Sequence, residues 1–95
     1  MAKNQVETIG KNIDEITAND VTSISVQNHS SVENLYLYPS VDGAAPDEST
    51  GYAVVPPGQW VVNEALADLW PGVDGANRVF ARASRLSLEA LVSHA

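Results

Sequence analysis

Residues 22–38 read TSISVQNHSSVENLYLY. In Thr22-Ser23-Ile24-Ser25-Val26-Gln27, Ile24 and Val26 fall on one face of an extended chain and the serines on the other. In Leu35-Tyr36-Leu37-Tyr38 the leucines share one face and the tyrosines the opposite one. Two runs with a period of two, rich in β-branched and aromatic residues, are the signature of half-buried strands. Asn28-His29-Ser30-Ser31 between them is turn chemistry, because short polar side chains bond their own backbone. The two runs are therefore expected to be a hairpin or a neighbouring pair of strands.

The same alternation continues downstream. Pro39 to Gly51 (PSVDGAAPDESTG) carries the proline, glycine and acid of a loop. Tyr52-Ala53-Val54-Val55 reads as a third strand, stopped by Pro56-Pro57-Gly58. Gln59 to Asn63 reads as a fourth, with Trp60 expected in the core. Glu64 to Trp70 suggests a short helical turn that buries Leu66, Leu69 and Trp70. Arg78 to Ala83 reads as a fifth strand, with Val79, Ala81 and Ala83 inward and Arg82 outward. Leu86 to Ala90 alternates as a sixth. Arg78, Arg82 and Arg85 also sit at helical spacing, but alternation in both runs favours strands. Six short strands separated by turns predict an all-β chain, a small antiparallel β-sandwich or barrel-like domain over residues 20–95.

Residues 1–19 have a different pattern. Val6, Ile9, Ile13 and Ile16 are spaced by three, four and three, which is the seam of a short amphipathic helix. Gly10 weakens such a helix by about 1 kcal/mol relative to alanine. An isolated helix of this length is marginal in water. Residues 1–19 are therefore expected to be an N-terminal arm or short helix that lays these four side chains on its own domain or on a partner.

Composition narrows the function classes. The chain has 95 residues, enough for one domain and one core. It has no cysteine, so disulfides and thiolate metal sites are excluded. The formal net charge is -7, and no Lys or Arg occurs between Lys11 and Arg78. Phosphate binding needs cationic side chains, which argues against nucleic acid and against an anionic membrane surface as partners. The acidity serves solubility and repulsion between copies, or else complements a basic partner. No apolar run has the length of a membrane span, and the first ten residues lack the apolar centre of a signal peptide. Synthesis in a cytoplasm is the expectation.

No motif points to catalysis. His29 falls in a turn and His94 is next to last, neither with a second ligand at metal spacing. Asp42, Asp47, Glu48 and Asp74 lie in loops, without the spacing of a calcium loop. There is no GxSxG, P-loop or GxGxxG. The expectation is a protein that is not an enzyme, with no catalytic residue, no metal and no cofactor. Tyr36 and Tyr38, opposite the leucines, are the candidate binding residues of the sheet, for a protein or for a sugar.

The stretch from Ile24 to Val92 carries a resemblance. Its order is ISVQNHSS, LYLYPS, an acidic Gly-containing loop, GYAVVPPGQWVV, a short ADLW segment and RVFARASRLSLEALV. It resembles the small β-sandwich modules among the virion proteins of tailed bacteriophages. The likeness covers about three quarters of the chain, rests on generic turn and strand chemistry, and leaves out residues 1–19. It implies a structural protein located in the virion, most specifically a capsid decoration (cement) protein. Its partners would be the major capsid protein or other virion proteins, with homo-oligomers on the particle. Tail, connector or head-fibre accessory roles are the alternatives, and a carbohydrate- or receptor-binding module is a further one. Val6, Ile9, Ile13 and Ile16 would be the anchors of the arm, ordering as they bind.

Overall fold

The computed structural model describes residues 2–95. Eight strands and one helical turn follow in chain order. They are β1 (Lys3–Gly10), β2 (Asp14–Glu15), β3 (Ser23–Asn28), β4 (Leu35–Ser40), β5 (Ala53–Val55), β6 (Trp60–Ala65), α1 (Leu66–Leu69), β7 (Arg78–Ala83) and β8 (Ser87–His94). They form two four-stranded antiparallel sheets. Sheet A has the order β1-β8-β3-β6 and sheet B the order β2-β7-β4-β5. The chain is a small β-sandwich.

Alternation decides which side chains meet between the sheets. Ile24 and Val26 of β3, with Leu88, Ala90 and Val92 of β8, face Leu35 and Leu37 of β4 and Val79, Ala81 and Ala83 of β7. Alanines line much of β7 and leave room for the larger side chains opposite, as a densely packed interior requires. Leu66 and Trp70, from α1 and the residue after it, close one side of the same core.

Three expectations are corrected. First, residues 3–10 are not helical. β1 pairs with β8 over its whole length, from Lys3 opposite His94 to Gly10 opposite Ser87. β2 pairs with β7 in the other sheet. Ile9 and Ile16 belong to the common core, so residues 2–19 are not set apart from residues 20–95, and Met1 lies outside the described residues. The 3-4-3 spacing arose from two strands and the bend between them. Second, β3 and β4 are not a hairpin or neighbours. The chain crosses from sheet A to sheet B between them. Asn28 is fully buried at this corner. Its Nδ2 donates to the backbone oxygens of Glu33 (2.8 Å) and Val55 (3.0 Å), and its Oδ1 accepts from Ser30 N (2.9 Å). One amide side chain thus supplies the bonds that a sheet partner would otherwise give. Third, Trp60 is not in the core. It is 49% exposed, on the outer side of edge strand β6.

Candidate interaction surface

The outer face of sheet A is built by the residues that alternate with the core positions along its strands. The register sets Val6 opposite Leu91, Leu91 opposite Gln27, and Gln27 opposite Trp60. These four residues form one row across all four strands. Val6 is 52% exposed and Trp60 49%, while Leu91 and Gln27 are half-buried beside them. Val62, 62% exposed, continues the apolar surface along β6. No residue of this row is charged, although the chain carries a net charge of -7. The neighbouring row of Asn4, Ser93 and Ser25 is neutral too.

β6 owes its shape to two local devices. Pro56 to Gln59 form a tight turn in which Gln59 N donates to Pro56 O (3.1 Å) and Gly58 sits at φ 76°. Positive φ at the third position is what a type II turn demands, and glycine adopts it without strain. Gly58 N donates to Asn28 O and Asn28 N to Gln59 O, which is a bulge at the start of the strand. At its far end Asn63 has φ 45° and the register shifts against Ile24 and Val26. Asn63 N bonds Ser25 Oγ (2.8 Å) in place of a ladder partner. The straight part of the strand is therefore Trp60-Val61-Val62.

The outer face of sheet B carries an aromatic cluster. The ring of Tyr52 lies 4.6 Å from Tyr36 and 5.2 Å from Tyr38, tilted in both cases. Arg82, opposite Tyr36 on β7, stacks its guanidinium 4.6 Å above the Tyr36 ring. Its Nε donates to the Tyr38 hydroxyl (2.8 Å) and one terminal nitrogen donates to Ala83 O (3.2 Å). The bond to Tyr38 raises the guanidinium's pKa above its ordinary value, against the opposing effect of burial. Tyr38 is only 1% exposed, and its hydroxyl is engaged with Arg82. Of the two tyrosines expected to form a binding face, Tyr36 is half-buried and Tyr38 is closed off. Tyr52, 43% exposed, is the ring that solvent reaches best.

A third feature sits at the end of the sandwich. The Glu33 carboxylate is buried. It accepts from the backbone N–H groups of Arg85 (2.8 Å), Leu86 (3.1 Å) and Ser87 (3.2 Å). Burial alone would raise its pKa. The three amides and the nearby Arg85 charge outweigh it and hold the carboxyl below the ordinary range. Val32 and Leu86 flank this clamp in sequence, and each is 76% exposed.

The remaining candidates are placed as follows. Ile9 and Ile16 are spent on the domain's own core, Ile13 is half-buried, and of the four expected anchors Val6 alone is largely open to solvent. His94 is buried and accepts from Ala18 N (3.1 Å) through Nε2. His29 is exposed. Among the described residues, no three His, Asp or Glu side chains converge as a metal site would need. A cleft of about 190 Å³ lies between Ala67 and Ala76, below the ~300 Å³ of an ordinary small-molecule pocket. Arg78, on β7, is paired with Glu15 (2.9 Å) and Asp20 (2.7 Å).

Sequence reasoning missed Trp60, Val62, Leu91, Tyr52 and Glu33 as functional or organising residues. One signal for the first two was visible: no charged residue occurs from Ser49 to Asn63, in a chain otherwise dotted with acids. No protein-family model, curated protein or solved structure matches this chain.

Proposed function

We propose that this chain is a structural protein that works by binding other protein surfaces, and specifically a capsid decoration protein on a tailed-phage type of particle. The observation that carries the first part is the uncharged row of Val6, Leu91, Gln27 and Trp60, extended by Val62 on a rigid sheet. Apolar and aromatic side chains held in fixed positions bind a protein surface at low entropic cost. The particle assignment is supported by the sequence resemblance alone. On a repeating shell, many weak contacts of this kind add up to firm attachment.

The test is the copy number of this chain in purified particles from its source, by quantitative mass spectrometry against the major shell protein. Hundreds of copies are expected. About a dozen or fewer would move the chain to a vertex, connector or tail position. Complete absence would remove the particle and leave a free binding module.

One observation favours a second reading, a glycan-binding module. Tyr52 is exposed beside Tyr36 and Arg82, and a tilted aromatic pair with a guanidinium can receive a sugar ring. Glycan-array binding that Tyr52→Ala removes would support it, and a blank array would withdraw it.

A further inference from the structure

We infer that Asp74 is a site of covalent self-modification: its carboxyl group and the Gly75 amide close to a cyclic imide, which water reopens to an isoaspartyl linkage. This goes beyond the binding reading and does not depend on it.

Two of the six glycines follow an aspartate, Gly43 after Asp42 and Gly75 after Asp74, and no glycine follows an asparagine. A glycine in that place has no Cβ to shield its own nitrogen from the preceding carboxyl. The two sites therefore share one local chemistry, and the fold sets them apart.

Asp42-Gly43 is held. Both residues have positive φ (56° and 83°), and Ala44 N donates to Val41 O (3.1 Å), as in a type I′ turn. Asn77 grips Asp42 from the start of the next sheet strand. Its Oδ1 accepts from Asp42 N (2.7 Å) and its Nδ2 donates to Asp42 Oδ1 (2.9 Å). The carboxyl must break away from Asn77 before it can reach Gly43 N, and Gly43 is half-buried.

Asp74-Gly75 is open. Both residues are exposed. Among the described residues the Asp74 carboxylate has no hydrogen-bond or ion-pair partner, and the Gly75 N–H has no backbone acceptor. No atom lies within 4 Å of the place that a Cβ of Gly75 would take, so the turn has room to reshape.

The chemistry balances without a co-reactant other than water. Gly75 N attacks Cγ of the Asp74 carboxyl in its neutral form. The new C–N bond forms as the C–OH bond breaks, and the hydroxyl leaves with the amide hydrogen as water. A second water then adds to the α-carbonyl of the ring. Its C–N bond breaks and the nitrogen regains a hydrogen. One water leaves and one returns, so the mass and the formal net charge of -7 are unchanged. The main chain now runs through Cβ and Cγ of Asp74 and is longer by one carbon. That carbon falls between Val73 and Ala76, which both pack against the core.

The experiment keeps the purified full chain at neutral pH and body temperature for several weeks. Cleavage after glutamate then separates Asp42 (residues 34–48) from Asp74 (residues 65–89), and electron-transfer fragmentation tells the two linkages apart. Isoaspartate should accumulate several-fold faster at Asp74 than at Asp42. In urea the two rates should converge, because Asn77 no longer holds Asp42. Asn77→Ala should bring Asp42 up to the pace of Asp74 in a chain of unchanged circular dichroism, and the urea comparison stands in its place if that variant unfolds. Asp74→Glu, which would need a six-membered ring, should remove the product from residues 65–89. A folded chain with no isoaspartate at Asp74 overturns the inference. So does one in which Asp42 keeps pace with it. Either result leaves the copy-number test untouched.

Discussion

Glu33 shows how one side chain can hold two crossings of the sandwich together. It stands between β3 and β4, yet its carboxylate binds the amides that open β8. Its pKa lies below the ordinary value of 4.5, so the folded state favours the ionised form. That stabilisation is fully present above the unfolded carboxylate pKa and is lost as pH falls through the lower folded value. Glu33→Gln should therefore lower the melting temperature at pH 7. The gap to wild type should close as the pH is taken below the carboxylate range. A gap that persists unchanged in acid would assign the effect to packing instead of charge. Asn28 is the neutral counterpart. Asn28→Ala removes the Nδ2 donor from the buried carbonyls of Glu33 and Val55, and a loss of about 2 kcal/mol is expected in urea unfolding.

At the scale of elements, β1 separates what is buried from what is displayed. Ile9→Ala opens a hole in the core and should cost about 3 kcal/mol. Val6→Thr, on the outer row, should stay within about 0.5 kcal/mol. Equal costs in denaturant titrations would mean that β1 is not seated as described. Gly58→Ala should cost about 1 kcal/mol through its positive φ, with the β6 edge still formed. The legibility of each element follows from how much of it is buried on one face only. β7 could be read from its residues because Val79, Ala81 and Ala83 alternate cleanly with Arg78 and Arg82. β1 could not, since its inward positions Lys3, Gln5 and Glu7 are polar and erase the period of two. What remained was an accidental helical spacing. Trp60 misled because a tryptophan after a proline turn reads as core, whereas edge position and strand parity put it outside. Tyr38 was assigned by parity to the correct face. The sheet-crossing at Asn28 and the packing of Tyr52 over that face are tertiary facts with no local signature.

For the whole molecule, the distribution of charge matters more than its sum. Apart from Glu89 on β8, the acids lie in loops, in α1 and on edge strands, and the row of Val6, Leu91, Gln27 and Trp60 is free of them. If that row carries attachment to a protein partner, the affinity should change little between about 0.05 and 0.5 M salt, since screening acts on charges alone. Trp60→Ser with Val62→Ser should abolish attachment while the melting temperature stays within a few degrees of wild type. Steep salt dependence with a harmless double substitution would move the contact to the acidic loops. The central place of β8 in sheet A has one more consequence, for biosynthesis. On the ribosome this strand emerges after the other seven, yet β1 joins sheet A only through it, and β3, paired with β6 on its other side, needs it to cover its second edge. The nascent chain therefore carries β1 unpaired and one edge of β3 open until β8 has been translated, and the sandwich closes in one late step. A chain interrupted before that point would leave β1 without a partner and that edge of β3 open, and should be recovered in inclusion bodies instead of the soluble fraction.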